Sequence, residues 1–442
     1  MRGKRKVKWM AAALAVSLAL TACGQGKKEQ GDGGGNSVVP VDVGPVTLKL
    51  YNHSAGIANQ ADFEKLVLKP VQAKYPNITI EYVQGKLEDM IAAGEIPDII
   101  SVGNLYLNDL KELGLLTDLN DMVKKYKTDF GKIDAGTFDF LKQLAPNGEL
   151  YAIPFSLNYG VLLYNKDIFD KFGAPYPKDN MTWGQLTELA RRVTRQADGV
   201  QYIGLDPDGA QPLVRQYSIT PYDPKTGKST ILTDPGFQKV FNTLKPIYDI
   251  PGIVNNNKYS YGINGFIKDR NVAMYGYWLA NFTSRILDLQ LQGNDFNWDI
   301  TSYPVFEDKP GLGKPYDFHC MIITPTSKNR DAAYLAIATL VGDEQQQAMN
   351  RSGARLTIQG DQNLRVQFAS DTKVFEGKKL AEVFKVKPAP ATIPSEFDTK
   401  IYSFVNEALK NVVTKNVDIN TALREADEKA NEYIKQVLES KK

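Results

Sequence analysis

Polar aromatic and amide side chains stand where several predicted strands end. Tyr51 and Asn52 close the alternating run VTLKLYN, Tyr106 follows the buried run DIISVG, and MYGYW (274–278) places three aromatic residues around one glycine. The group FSLNYG (155–160) likewise separates two apolar runs, YAIP and VLLYN. Aromatic rings stack on neutral polyhydroxylated molecules, and amides and phenols hydrogen-bond to them. Because ligands of open α/β sheets lie beyond the carboxyl ends of strands, these residues predict a binding site for such a molecule.

Residues suited to covalent or metal chemistry are scarce. The chain has only two histidines, His53 and His319, so a catalytic triad or a three-histidine metal site is hard to build. His319 and Cys320 are adjacent on a predicted strand and would point to opposite faces. We therefore expect no catalytic residues, metal or cofactor. The 51 acidic residues guarantee chance carboxylate pairs, so a glycoside hydrolase stays open as an alternative.

The N-terminus has the pattern of an exported lipoprotein. Five basic residues in MRGKRKVK precede a short apolar segment, which is typical of a secretory signal peptide over residues 1–22. LTAC (20–23) resembles the lipobox of bacterial lipoproteins, and this resemblance implies cleavage before Cys23 and lipid attachment to its thiol. Two acyl chains anchor a protein stably, so we expect a membrane-anchored protein on the extracellular or periplasmic face.

Charge and cysteine content argue against two further features, nucleic acid binding and a disulfide within the chain. Removing residues 1–22 takes away five bases and no acids, which changes the formal net charge from +2 to −3. The charge therefore gives no reason to expect nucleic acid binding. With Cys23 lipidated, Cys320 stands alone and no disulfide is expected within the chain.

The remaining sequence predicts two α/β domains. Six glycines within residues 24–37 indicate a flexible tether over 23–45. Strands and helices then alternate from Val46, which favours a parallel sheet covered by helices, and 442 residues exceed one ordinary core. Thr182 and Gln185 form a predicted capping box, Trp183 is expected to pack inward, and DPKTGKST (223–230) is predicted to be a hairpin tip rather than a phosphate loop.

Three segments resemble sugar-binding solute-binding proteins of ABC importers, the family that includes maltose-binding protein. They are NGELYAIPFSLNYGVLLYNKDIFDKFG, followed by a TW helix start; FIKDRNVAMYGYW; and MIITPTSKNRDAAYLAIATLVGDEQQQAMNRSG. NTALREADEKAN resembles the family's C-terminal helix. The motifs keep the family's order and cover essentially residues 46–442.

The resemblance implies a type II periplasmic-binding-protein-like α/β fold, with two hinge-linked lobes and a central ligand cleft. The N-terminal lobe would comprise 46–154 plus 320–355, and the C-terminal lobe 158–316 plus 360–442. Hinge crossovers are expected near 154–158, 316–320 and 354–360. Trp278 matches the family's stacking tryptophan, and Asn158 replaces a cleft acid of maltose-binding protein. The expected ligand-binding residues are Tyr51, Asn52, Tyr106, Phe155, Asn158, Tyr159, Tyr277, Trp278, Asp317, Arg355 and Tyr402.

The implied function is capture without catalysis. A carbohydrate, expected to be an oligosaccharide, would bind between the lobes and shift the population to a closed state. Membrane subunits of an ABC permease would recognise that state and import the ligand. A monomer is expected. A surface-anchored glycoside hydrolase, or a binding protein for peptides or uronate-type sugars, are the alternatives.

Overall fold

The computed structural model describes residues 44–54, 56, 57 and 59–441. The predictions for the signal peptide, for Cys23 and for the tether up to residue 43 lie outside the described residues. The strands of the described part are β1 Val46–Asn52, β2 Ile78–Val83, β3 Ile99–Gly103, β4 Ile153–Asn158, β5 Gly160–Asn165, β6 Arg195–Ala197, β7 Val200–Tyr202, β8 Tyr222–Asp223, β9 Lys228–Ser229, β10 Met274–Trp278, β11 Trp298–Ser302, β12 Leu312–Pro315, β13 Asp317–Ile323, β14 Leu356–Thr357 and β15 Lys387–Ala389.

Helices lie between most of these strands. They are α1 Gln60–Phe63, α2 Lys69–Lys74, α3 Leu87–Ala93, α4 Leu107–Glu112, α5 Asn120–Tyr126, α6 Ala135–Leu144, α7 Lys166–Phe172, α8 Trp183–Val193, α9 Gln211–Gln216, α10 Pro235–Tyr248, α11 Gly262–Ile267, α12 Leu279–Leu291, α13 Arg330–Leu340, α14 Asp343–Arg351, α15 Gln362–Arg365, α16 Leu380–Val383, α17 Asp398–Lys415 and α18 Ile419–Ser440. A π-helical turn, Glu64–Leu68, joins α1 to α2, and a 3₁₀ turn, Asn104–Tyr106, precedes α4. No helix among the described residues is long and apolar enough to cross a bilayer.

The larger sheet has six strands in the order β14-β4-β13-β3-β1-β2. Strands β1, β2 and β3 are mutually parallel, as the sequence predicts. Strand β13 is antiparallel to both β3 and β4, so the sheet is mixed rather than parallel. Strand β13 is antiparallel because the chain re-enters the sheet at the carboxyl ends of β1, β3 and β4.

The second sheet has three strands in the order β10-β5-β11, with both neighbours antiparallel to β5. The chain passes from the first sheet to this one at Tyr159, between β4 and β5, and returns at Tyr316, between β12 and β13. It leaves the first sheet again after β14, where residues 359 and 360 pair with the segment before α6. The change of sheet at Tyr159 lies one residue beyond the range 154–158, and the lobe boundaries remain a proposal.

Several local predictions from the sequence are confirmed by the structure. The Thr182 side chain accepts from the Gln185 backbone N–H, and the Gln185 side chain accepts from the Thr182 N–H, which confirms the capping box. Trp183 is fully buried, as predicted. Strands β8 and β9 pair as a hairpin around DPKTGKST. The described cysteine, Cys320, is free and buried.

Candidate functional site

Strands β1, β3 and β4 run in the same direction, so the polar residues at their carboxyl ends lie at the same end of the larger sheet. Tyr51 and Asn52 end β1, and the Tyr51 hydroxyl donates to the Gly85 carbonyl at 3.3 Å. The Asn52 amide donates to the Ile57 carbonyl at 2.6 Å. Tyr106 follows β3 and is 43% exposed. These residues therefore lie where a ligand of an open α/β sheet would bind.

A histidine that sequence reasoning did not select links two of these tyrosines. The His53 ring lies 6.4 Å from the Tyr51 ring and 5.2 Å from the Tyr106 ring, both in edge-on geometry. Partial burial lowers the pKa of His53. The group forms a continuous aromatic wall, which suits contact with the apolar face of a sugar ring.

Two adjoining cavities lie beside this wall. The smaller, about 130 Å³, is bounded by the 3₁₀ turn and α4, by α9, and by residues 391–402 including Tyr402. The larger of the two, about 180 Å³, is bounded by Asp208, α9, Trp278 and Lys314. Gln211, Arg215 and Pro315 belong to both walls, so the two cavities share one boundary. We call this pair the candidate site.

Gly160 allows Lys314 to reach Trp278. Trp278 is directly opposite Gly160 in the register of β10 and β5. A Cβ at position 160 would lie 2.5 Å from the Lys314 Cβ, so only glycine leaves room for the lysine stem. The Lys314 Nζ then lies 4.6 Å from the centre of the Trp278 ring and 5.5 Å from that of Tyr303. Both contacts are within the range of cation–π interactions.

Asp208 is the acidic group of the 180 Å³ cavity. Its backbone N–H donates to Asp206 Oδ1 at 3.0 Å, which forms an Asx turn in DPDG (206–209). The Tyr275 hydroxyl donates to Asp208 Oδ1 at 3.0 Å, and the Tyr275 ring lies 5.5 Å from the half-buried Tyr277. Burial raises the pKa of Asp208, opposed by the charge of Lys314 and the hydrogen bond from Tyr275.

Asn158 holds the end of β4 against α12. Its amide nitrogen donates to Asn281 Oδ1 at 2.8 Å and to Asp317 Oδ2 at 3.3 Å. Its amide oxygen accepts from the backbone N–H of Tyr159 at 3.1 Å and of Ala280 at 3.3 Å. With both protons and its oxygen engaged, Asn158 positions the junction between the sheets, and any ligand contact would compete with these bonds.

Phe155 and Tyr159 lie among packed side chains. Phe155 is 2% exposed and belongs to the apolar core under the six-stranded sheet, so its ring offers no free face. Tyr159 is also buried, and its hydroxyl donates to the Val386 carbonyl at 2.9 Å. Burial raises the pKa of Tyr159 to about 12. Neither residue lines the candidate site, and Tyr159 instead lines a separate cavity of about 840 Å³.

The other predicted residues divide between the site and its margin. Tyr402 lines the smaller cavity from α17, and burial raises its pKa. Asp317 begins β13 and accepts a hydrogen bond from Asn158 at 3.3 Å, but it lines neither cavity. Arg355 packs on Gly56 and forms an ion pair with Asp62 at 3.7 Å, which places it beside α1 rather than in either cavity. Ligand contact by each of these residues remains a prediction.

A larger cavity, about 840 Å³, lies elsewhere around the segment before α6 and residues 359–367. Asp134 lines it and is paired with Arg365 at 2.5 Å, while the Tyr316 hydroxyl donates to the same carboxylate at 2.8 Å. The hydrogen bonds from Arg365 and Tyr316 lower the pKa of Asp134 against the effect of burial. Two ion pairs, Arg365–Asp134 and Lys132–Asp343, already neutralise most of its charged groups, and no residue of the aromatic wall lines it. We therefore favour the candidate site.

Sequence reasoning missed the charged residues of the candidate site, which are Asp109, Asp208, Arg215, Lys314 and Asp398. Arg215 carries a buried Nη2 without a hydrogen-bond partner. Asp398 lines the smaller cavity, and burial raises its pKa to about 6. A lysine within the apolar surroundings of LGKPYDF was an available signal for Lys314. Among the described residues, no group of three or more His, Cys, Asp or Glu side chains could hold a metal ion.

The sheets, the crossovers and the site define a two-lobed α/β binding-protein fold. The family model for bacterial extracellular solute-binding protein matches residues 61–376, and the chain belongs to this family. The sugar-binding protein MalE from Xanthomonas citri is similar in structure, with a TM-score of 0.69 and 18% identity over 88% of this chain and 98% of that one. An ABC substrate-binding protein from Listeria monocytogenes, solved with cycloalternan, matches with the same TM-score, identity and shares.

The matches to curated relatives by sequence cover only part of the chain. An uncharacterized ABC transporter extracellular-binding protein of Pyrococcus horikoshii is 26% identical over 159 residues. This match covers 34% of the chain and 35% of the relative. The chain thus spans about a third of the length of the curated relatives that it matches. These comparisons establish the family and the fold of the chain.

Proposed function

We propose that the protein captures an extracellular carbohydrate, expected to be an oligosaccharide, and delivers it to the membrane subunits of an ABC permease. The observation that carries this proposal is the candidate site itself, where Trp278 and Tyr402 join Gln211 and Arg215 in two adjoining cavities. Aromatic faces beside hydrogen-bonding groups are the usual composition of a sugar site. Family membership supports the same role.

The protein would act as a binding protein and not as an enzyme. Ligand contacts formed only when the lobes close would shift the population towards the closed state. We further propose that a lipid on Cys23 holds a monomer on the outer face of the membrane, beside its permease. The signal peptide and lipobox of residues 1–23 support this anchoring.

A thermal-shift screen against a glycan panel tests capture directly. A ligand at 100 times its Kd adds about 2.7 kcal/mol to the free energy of unfolding, which gives a visible shift. We expect at least one di- or oligosaccharide to raise the melting temperature, and isothermal titration calorimetry to give a saturable isotherm. A panel without any stabilising carbohydrate would overturn the proposal.

Two acids favour a glycoside hydrolase as a second candidate. Asp109 and Asp398 both line the 130 Å³ cavity, and burial raises the pKa of each, that of Asp398 to about 6. A carboxyl group of raised pKa is suited to general acid catalysis. Chromatography of oligosaccharides incubated with the protein decides between the two. Shortened products that disappear in Asp398→Asn would establish the hydrolase, whereas intact ligand recovered from a complex supports capture.

A further inference from the structure

Lys314 is an unusual residue for the place it occupies. It lies in β12, immediately before the second crossover, and is only 4% exposed. Lysine is seldom buried to this degree without an anionic partner. Among the described residues, Lys314 forms no ion pair and its ammonium forms no hydrogen bond. The ammonium forms cation–π contacts with the rings of Trp278 and Tyr303.

The neighbouring charges do not neutralise this ammonium. Burial is the main cause that lowers the pKa of Lys314 to about 8, and the nearby positive charge of Arg215 adds to it. Asp208 and Asp317 act in the opposite direction but do not outweigh burial. One oxygen of Asp208 accepts from the Tyr275 hydroxyl, and one oxygen of Asp317 accepts from Asn158.

Arg215 adds a second unpartnered cation to the same cavity. It projects from α9 into the wall shared by the two cavities, and its Nη2 is buried without a hydrogen-bond partner. In the described part of the chain Arg215 has no ion pair. The 180 Å³ cavity is thus lined by two cations and one acid. Burial also raises the pKa of that acid, Asp208, which disfavours its charged form.

We propose that the 180 Å³ cavity is a subsite for a carboxylate of the ligand, which makes the carbohydrate an acidic one of the uronate class. A guanidinium donates two parallel hydrogen bonds to a carboxylate, and an ammonium adds a point charge from a second direction. Arg215 and Lys314 would supply these two groups, while Trp278 contacts the ring that bears the carboxylate. This inference rests on the proposed function.

A carboxylate suits the cavity better than a more highly charged group. Among the side chains that line this cavity, one positive charge is in excess when Asp208 is ionised, and a single carboxylate balances it. Asp317 and Asp398 face Lys314 and Arg215 from outside this cavity and further disfavour a more highly charged anion. A phosphate ester carries between −1.5 and −2 near neutral pH and would add a further charge to desolvate. A sulfate ester carries one negative charge but has three acceptor oxygens and no planar fork, so it serves as the discriminating arm of the test.

The test compares each acidic oligosaccharide with its own neutral form. The probes are di- to tetrasaccharides of galacturonate, of mannuronate and guluronate, and of glucuronate-substituted xylan, each paired with its carboxyl-reduced derivative. Isothermal titration calorimetry with the full mature chain measures Kd for every member. We expect at least one acidic probe to bind at least tenfold more tightly than its reduced form. Sulfated, uronate-free oligosaccharides are expected to bind more weakly than that probe.

Two variants assign the preference to these residues. Lys314→Met keeps the length of the stem and removes the charge, and Arg215→Gln keeps hydrogen-bonding capacity without charge. Each should remove most of the preference for the acidic probe, measured as the ratio of the Kd of the reduced probe to the Kd of the acidic probe. Lys387→Met serves as a control, because Lys387 is an exposed lysine of β15, the strand paired with β12. It should behave as the wild type.

The outcomes separate this inference from the proposed function. If carboxyl-reduced or other neutral oligosaccharides bind as tightly as the acidic ones, capture stands and the carboxylate subsite is refuted. Tighter binding of sulfated probes refutes it too, as does a preference for acid that survives in both variants. If no carbohydrate of either kind binds, the proposed function itself fails.

Discussion

Removing the charge of Lys314 should make the unliganded protein more stable, although it removes a native contact. A pKa lowered from 10.5 to about 8 corresponds to a cost of about 3 kcal/mol for keeping the ammonium charged, since each pKa unit is worth about 1.4 kcal/mol. Lys314→Met removes this cost but also loses the cation–π contact with Trp278, worth about 0.5–2 kcal/mol. The expected net gain near pH 7 is therefore about 1–2.5 kcal/mol.

The pH dependence of the stability difference between wild type and Lys314→Met shows whether the buried charge causes it. Below pH 8, Lys314 is protonated in both states, so the folded state carries the full cost. Between pH 8 and 10.5 the folded lysine is neutral while the unfolded one remains protonated, and stability rises with pH because the unfolded state binds more protons. The wild type should therefore approach the variant over this interval. Asp208, Arg215 and Asp317 are the charged neighbours that set this pKa.

Urea denaturation from pH 7 to 10.5, followed by intrinsic fluorescence, measures this difference. Lys387→Met again provides the control, since a surface substitution changes stability by no more than about 0.5 kcal/mol. A Lys314→Met protein that is less stable than the wild type at pH 7 would refute the reasoning. A stability gap that does not change with pH would show that packing, rather than charge burial, causes it.

The remaining predictions concern ligand contact and the junction between the sheets. Trp278→Ala should abolish the ligand-induced thermal shift and leave the unliganded melting temperature near that of the wild type; an unchanged shift would remove Trp278 from the site. Arg365→Leu leaves the buried Asp134 carboxylate unpaired and should cost about 3–5 kcal/mol in urea denaturation; a loss below 1 kcal/mol would show that water satisfies this acid. Asn158→Ala leaves buried partners unsatisfied and should cost about 1–3 kcal/mol, and a neutral result would refute its role at the junction.

Stability and binding oppose each other in the candidate site. Lys314 is buried without an ion pair and the Arg215 Nη2 is buried without a hydrogen-bond partner, and the proposed carboxylate would satisfy both groups. Binding sites often carry such locally unfavourable residues, because an unsatisfied group gains more from its ligand than a satisfied one. Asn158 illustrates the opposite case, since its amide is fully used within the protein.

Local structure could be predicted from neighbouring residues alone. The alternation in VTLKLYN defines β1 as Val46–Asn52, and the capping box places the start of α8 after Thr182. Gly173 ends α7 in the left-handed conformation at φ 62°. These features depend on side-chain periodicity and on hydrogen bonds between residues a few positions apart, so no distant part of the chain is needed to specify them.

Which candidate residues are accessible to a ligand depends on long-range packing and could not be predicted from the sequence. Phe155 and Tyr159 are candidates in sequence because they lie in the group FSLNYG between two apolar runs. In the structure Phe155 is buried in the apolar core and Tyr159 is buried against Val386. The sequence alone does not show that Lys314 is buried, because its stem packs against Gly160, more than 150 residues earlier. The direction of β13 likewise follows from where the chain re-enters the sheet. Long-range packing determines exposure and charge pairing, and through them the chemistry of the site.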